Sequence, residues 1–147
     1  MFSKTCEYAI KIMIYIAANE QGGKRAGLRE VTDAIGSPEA FTAKILQQLV
    51  KKGLLDSFRG PTGGFALPKG KKILLYDVVV GIDGVHLLKD CVLGLPECSG
   101  LNPCPVHNKF KIVRDQLTNA LLSTELLDET LLKGELTLKR RKIRIIK

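Results

Sequence analysis

Two stretches of helical periodicity joined by a very short turn constrain the middle of this chain. "LREVTDAI" (28–35) sets Leu28, Val31 and Ile35 on one face, and "GSPEAFTAKILQQLVKKG" follows at once. Ser37 is a good N-cap residue and Pro38 suits a first helical position, so a helix is predicted to begin there. It should stop at Gly53, with Lys51 and Lys52 complementing its C-terminal dipole. The apolar side of this helix holds Thr42, Ile45, Leu46, Leu49 and Val50, which leaves Phe41, Ala43, Lys44, Gln47 and Gln48 on the other. Two short helices around a Gly36-Ser37 turn, the second with a polar outer face, predict a helix-turn-helix. "LLDSFRGPTGGFALPKG" then reads as strand, reversal and strand, with Leu54, Leu55 and Phe58 before "GPTGG" and Phe65, Ala66 and Leu67 after it. A hairpin placed directly after a helix-turn-helix reads as a wing, although an ordinary exposed hairpin has the same local pattern.

The flanks extend this unit. "EYAIKIMIYIAAN" repeats Tyr8, Ile12, Tyr15 and Ile16 at helical spacing, widened by Ala9, Met13 and Ala17, and predicts a buried first helix. "ILLYDVVVGIDG" predicts another buried helix, with its β-branched residues leaving a strand open. "VHNKFKIVRDQLTNALLSTELLDETLL" can be helical for more than twenty residues, with Phe110, Val113, Leu117, Ala120, Leu121 and Leu127 near one seam. A helix of that length has little of its own chain to cover it, so it reads as a dimerisation helix; folding back onto its own domain is the alternative. The end, "LKRRKIRIIK", is either a short strand or a basic arm.

Length and charge narrow the function. A chain of 147 residues is long enough to bury a core without disulfides. No apolar run approaches a transmembrane span, and no small-residue cleavage pattern follows "AIKIMIYIAA", so a cytoplasmic protein is expected. The formal charge of +8 favours an acidic partner, and nucleic acid leads. The expected DNA-binding residues are Ser37, Phe41, Ala43, Lys44 and Gln48 of the helix-turn-helix, with Arg59, Gly60 and Thr62 at the hairpin tip. Glycines there let the backbone approach phosphates or let the arginine enter a minor groove.

Three of the four cysteines and one of the two histidines fall in "CVLGLPECSGLNPCPVHNKF" (91–110). A reducing compartment argues against a disulfide framework and for metal or redox chemistry. Cys91, Cys98 and Cys104 are spaced C-x6-C-x5-C, unlike the C-x2-C knuckles of zinc fingers or the C-x2-C-x2-C of bacterial ferredoxins. Gly94, Pro96, Gly100 and Pro103 nevertheless make the intervening chain turn-rich enough for the thiols to converge. Cys104-Pro105 is placed at the start of the long helix, whose dipole would favour a thiolate, with His107 one turn further in. Spacing alone leaves a metal or cluster and a surface loop both open. Nothing beside His86 gives it more than a structural role.

The order "EYAIKIMIYIA", helix-turn-helix, "RGPTGGFAL" and a three-cysteine loop ending "CPVH" resembles the IscR/NsrR family of bacterial winged-helix regulators, the Rrf-two family. The resemblance runs to about Leu132. It implies a homodimeric transcription factor on a palindromic duplex operator, with Cys91, Cys98 and Cys104 as ligands of an iron-sulphur cluster, 2Fe-2S ahead of 4Fe-4S. For the fourth ligand it implies His107 first and Glu7 of the first helix second; Cys6, beside Glu7, ranks third, since a lone cysteine at the start of a buried helix is more often simply packed. Two departures stand out: the first cysteine gap is one residue longer than the commonest form, and Thr42-Ala43 replaces a leucine-glutamate pair on the recognition helix. That glutamate can accept from a cytosine amino group, so its loss should change the base preferred at one position.

The expected fold is mainly α with a small β-hairpin wing. A winged helix-turn-helix spans 1–84, a cluster-binding loop 85–105, a dimerisation helix 106–132 and a basic tail 133–147. The expected function is a homodimeric DNA-binding regulator, not an enzyme, that senses redox state, nitric oxide or iron-sulphur status. Two alternatives remain beside it: a cluster-free repressor working by thiol oxidation, a metabolite or a protein partner, and a small iron-sulphur electron carrier. Structural zinc is a further option at the cysteines.

Overall fold

The computed structural model describes residues 1–20 and 23–128. Its elements run α1 (Lys4–Glu20), α2 (Leu28–Ile35), α3 (Glu39–Lys51), β1 (Asp56–Phe58), β2 (Gly64–Ala66), α4 (Leu75–Asp83), α5 (His86–Lys89) and α6 (His107–Leu122). The α1 helix begins ahead of its apolar pattern because Ser3 caps it, Oγ accepting from the Cys6 N–H at 3.0 Å. Ile12, Met13 and Ile16 then form the axis of the main core, against which α2, α3 and α4 pack. Val31 and Ile35 of α2 and Ile45, Leu46 and Leu49 of α3 complete it, as their helical spacing requires.

The turn between α2 and α3 depends on Gly36. Its φ of 69° and ψ of 42° are left-handed, and its N–H closes α2 on the Thr32 carbonyl at 2.9 Å. The expectation that Ser37 caps α3 with Pro38 as its first residue is corrected: α3 starts at Glu39 and Pro38 occupies the cap position. Ser37 turns inward instead, and its hydroxyl meets Thr42 Oγ1 at 2.5 Å, which also donates to the Pro38 carbonyl at 2.9 Å. Two buried hydroxyls satisfying each other explain how a threonine sits on the apolar side of α3. The helix ends at Lys51, and Leu54 enters the core as its N–H bonds the Leu49 carbonyl at 2.9 Å.

The hairpin is antiparallel, pairing Asp56 with Ala66, Ser57 with Phe65 and Phe58 with Gly64. Residues 75–83 take the helical alternative as α4, whose Asp77 carboxylate accepts from the Leu74 N–H at 2.8 Å. Val78 of α4 belongs to the main core, while Val79 packs with Cys6, Leu88 and Leu121 in a second cluster. One helix therefore joins the half that carries the helix-turn-helix and hairpin to α5 and α6.

The long helix is shorter than its sequence pattern. It begins at His107 and ends at Leu122, 16 residues, or roughly 24 Å. Ser123 and Thr124 turn their hydroxyls back onto the Ala120 carbonyl at 3.2 and 2.8 Å, competing with helix continuation. The chain then returns to the domain. Leu75 donates to the Thr124 carbonyl at 2.8 Å and Leu126 to the Ile73 carbonyl at 3.0 Å, which leaves Leu126 fully buried. Leu127 is therefore off the helix and off its seam. Leu117 and Leu121 pack inward, whereas Phe110, Ile112 and Val113 are exposed. Residues 129–132 and the 133–147 tail, expected as the helix end and a strand or basic arm, lie outside the described residues. Among the described residues no helix is long and apolar enough to cross a membrane.

Candidate metal centre and nucleic-acid interface

The segment between α5 and α6 is a chain of tight turns. Gly94 donates to the Cys91 carbonyl at 2.9 Å, Cys98 to Leu95 at 3.2 Å, Ser99 to Asn102 at 3.1 Å and His107 to Cys104 at 3.0 Å. These reversals bring the three thiols to one place: the sulphurs of Cys91, Cys98 and Cys104 all lie within 4.8 Å of one another. The Cys91 and Cys104 sulphurs are 3.7 Å apart, and none of the three is in a disulfide. His107 stands outside this mutual set but touches it, with Nδ1 3.1 Å from Cys98 Sγ. The placement of Cys104-Pro105 at the helix start is corrected: α6 begins at His107 itself, and Cys104 uses its N–H on Cys98 Sγ at 3.4 Å.

The electrostatics differ among the thiols. N–H groups of Leu95, chiefly, and of Leu93 hold the Cys91 thiol down to about 7, with the Cys104 and Cys98 thiols adding to the effect. The Cys104 N–H favours the thiolate at Cys98, but desolvation and the two neighbouring thiols outweigh it and push that thiol up. The loop entrance is tied down from two sides: Arg114 of α6 donates to the Asp90 carbonyl at 3.0 Å, and His86 Nδ1 pairs with the Asp90 carboxylate at 2.8 Å. His86 is thus a surface residue that steadies the position before Cys91.

The other expected ligands are elsewhere. Glu7 lies on α1 and pairs with Lys4 at 3.2 Å, apart from the thiol set of its own chain. Cys6 is fully buried in the second cluster, where burial first and the Asp83 charge next raise its thiol to about 12. A proton held that firmly suits packing, not ligation. The donor set at the loop, three free thiols with an adjacent imidazole, fits iron or zinc.

Apart from the cysteine loop, Lys44, Gln47, Gln48 and Lys51 form an exposed stripe along α3. They line a groove of about 810 Å³ that is bounded across from them by Ser57 and Phe65 of the hairpin. Arg59, Gly60 and Thr62 are exposed at the hairpin tip, and Ala43 is half-buried beside the stripe. One expected contact is placed differently, Ser37, which is only 8% exposed. Phe41 is half-buried, packs edge-on against Tyr8 with ring centroids 5.3 Å apart and lines the same groove as the stripe. Sequence reasoning missed Lys51, which continues the i, i+3, i+4 spacing from Lys44. It also missed Arg25, whose guanidinium lies over the Phe58 ring at 3.6 Å. Only its charge beside the glycines of "EQGGKRAG", which break the first helix, pointed to it.

The family model described as Rrf2, iron-dependent transcriptional regulator, matches residues 2–129. A protein of Aquifex aeolicus (strain VF5) assigned as an HTH-type transcriptional regulator is 30% identical, covering 87% of this chain and 90% of its own. The HTH-type transcriptional regulator IscR of Photorhabdus laumondii is 28% identical, covering 81% and 72% respectively. The solved structure of CymR, described as the global cysteine regulator of B. subtilis, matches with a TM-score of 0.71 at 24% identity over 87% of this chain and 94% of that one. At that identity the likeness is one of fold.

Proposed function

From the premise that this chain belongs to the Rrf2 family of transcriptional regulators and is not an enzyme, we propose that it acts as a homodimer on a palindromic duplex operator and senses through a cluster on its cysteine loop. The observation that carries the reading is the convergence of Cys91, Cys98 and Cys104 within 4.8 Å on a loop that joins α5 to α6. Thiolates are the natural ligands of iron-sulphur clusters, and His107 is the nearest fourth donor. When bound, such a cluster supplies a group whose presence and oxidation state depend on iron supply and oxidants. The protein works in the cytoplasm, where a bacterial operator lies.

The apolar groove beside the loop supports the dimer. Leu87, Cys91, Val92, Phe110, Val113 and Leu117 line it, with a volume of about 390 Å³. A second copy related by a two-fold axis would bury Phe110, Ile112 and Val113 and set the two α3 helices about one DNA turn apart. Ligation on the loop would then bias the angle between α5 and α6, and so the half-site spacing. A coupling of about 1–3 kcal/mol suffices for a switch of roughly 5- to 150-fold.

A cluster-free metal site is the second reading, favoured by the convergence of all three sulphurs, Cys98 included, within 4.8 Å. Metal–sulphur bonds of about 2.3 Å in a tetrahedron give sulphur separations of about 3.8 Å. The 3.7 Å between the Cys91 and Cys104 sulphurs suits a zinc ion or one tetrahedral iron equally, but a cluster needs the turn-rich loop to carry Cys98 away from that pair to a second iron. Anaerobic purification with metal and acid-labile sulphide assays separates the two: visible absorbance with sulphide supports the cluster, and colourless zinc protein supports the ion. Equal operator affinity of metal-loaded and metal-free protein would remove the sensor role from the loop.

A further inference from the structure

The connection between α1 and α2 has no part in the contacts proposed so far, yet it is built onto the hairpin. Ala26, fully buried, pairs with Phe65 in both directions, at 3.0 and 2.8 Å, so β2 is flanked by β1 on one side and by Ala26 on the other. Gly64 permits this approach: its φ is +130°, and a Cβ there would stand 2.7 Å from the Ala26 carbonyl oxygen. The neighbouring Arg25 then reaches over the hairpin. Its guanidinium carbon is 3.6 Å from the Phe58 ring centroid, and Nη1 donates to the Thr62 carbonyl at 3.5 Å. Phe58 ends β1 and Thr62 lies in the reversal, and the residues between these two anchors are Arg59, Gly60 and Pro61.

A hairpin of three-residue strands is marginal by itself, and all of β1 is exposed. Something outside the hairpin must hold its tip if Arg59 is to meet DNA in one orientation. A planar guanidinium suits that task better than an ammonium, because it stacks on a ring and donates in its own plane at the same time. Among the described residues neither Arg25 nor Arg59 is in an ion pair, so no carboxylate draws Arg25 off the hairpin. Resting on the DNA-binding reading, we propose that Arg25, stacked on Phe58 and bonded to the Thr62 carbonyl, is the positioning residue that fixes the wing reversal and presents Arg59 to duplex DNA. Its effect is exerted through Arg59 and not through a phosphate contact of its own.

The test is a double-mutant cycle, using a duplex enriched from a randomised pool by the wild-type protein. Arg25→Ala is expected to weaken binding about 5-fold or more. In the Arg59→Ala background it should change neither affinity nor the salt dependence of binding. Arg25→Lys, which keeps the charge, should bind like Arg25→Ala. An independent phosphate contact would instead give additive losses, a salt slope lowered by about 1 and rescue by lysine; any of these overturns the proposal, as does full binding by Arg25→Ala. Phe58→Leu removes the ring while keeping the arginine and should reproduce the loss, which covers a failure of Arg25→Ala to fold. If the wild type enriches no duplex, the DNA-binding reading fails and the clamp is read on the protein alone. The Gly63 amide, bonded to the Gly60 carbonyl at 2.9 Å, should then exchange about 5-fold faster in Arg25→Ala, and unchanged exchange overturns the clamp.

Discussion

The imidazole Nδ1 of His107 lies 3.1 Å from the sulphur of Cys98, which makes the first residue of α6 a direct neighbour of the thiol set. The helix also meets the loop and its entrance through the His107 N–H on the Cys104 carbonyl and Arg114 on the Asp90 carbonyl, each at 3.0 Å, but His107 is where it touches a thiol.

This contact grades the ligand variants. Cys91→Ser, Cys98→Ser and Cys104→Ser are each expected to abolish bound metal, while circular dichroism stays that of the wild type. His107→Ala should keep metal with affinity lowered about 10- to 100-fold, because an imidazole that touches one thiol orients more than it holds. Iron, sulphide and zinc content after anaerobic reconstitution read the difference. Full metal retention in any cysteine variant would remove that residue from the site.

Thiol reactivity should follow the local electrostatics. In metal-free protein near pH 7, iodoacetamide is expected to modify Cys91 before Cys98, since N–H groups of Leu95 and Leu93 stabilise the Cys91 thiolate. Cys6, raised by burial to about 12, should stay unmodified until the protein unfolds. Peptide mass mapping gives the order. Because the Cys6 thiol ionises near 9.0 when free and near 12 when folded, its contribution to stability is complete below pH 9 and is lost as pH rises towards 12. Urea midpoints should fall across that range less steeply in Cys6→Ala.

The buried hydroxyl pair of the helix-turn-helix carries a measurable cost. Thr42→Val leaves the Ser37 hydroxyl buried opposite a methyl group and should destabilise the fold by about 1–3 kcal/mol. Ser37→Ala leaves Thr42 its bond to the Pro38 carbonyl and should cost about 1 kcal/mol. Urea denaturation distinguishes them, and an equal loss would mean the two hydroxyls are not coupled.

Oligomeric state tests the exposed face of α6. Val113→Glu places a charge among Phe110, Leu117 and Leu87, and should shift a micromolar solution from dimer to monomer by light scattering. Leu126→Ala, by contrast, should leave the dimer and lower stability by about 2–5 kcal/mol, since Leu126 fills the main core.

Periodicity made the helices of the DNA-binding half legible: α2 spans the residues its pattern marked, and the buried face of α3 is the predicted one apart from the half-buried Val50. What it could not show was decided by partners far along the chain. The α6 helix stops because Thr124 and Leu126 find Leu75 and Ile73, a pairing that no local pattern in "LLSTELLDE" announces. Ser37 reads as a cap by residue type, yet a hydroxyl on the next helix claims it. The cysteines were legible as a group because their chemistry is rare and their separators are turn formers. Arg25 was not, because its partners Phe58 and Thr62 come from a hairpin that folds back onto it.

No residue from 91 to 106 enters either apolar cluster; the loop leaves α5 just after Leu88 and rejoins the fold through α6. Substitutions there meet solvent, one another and the outer sides of α5 and α6, outside both apolar clusters. On the reading that the loop is the sensor, selection can rewrite it for a different metal, a different oxidant or none at all without first having to rescue the core. The input of such a regulator is free to diverge much faster than the scaffold that carries its output.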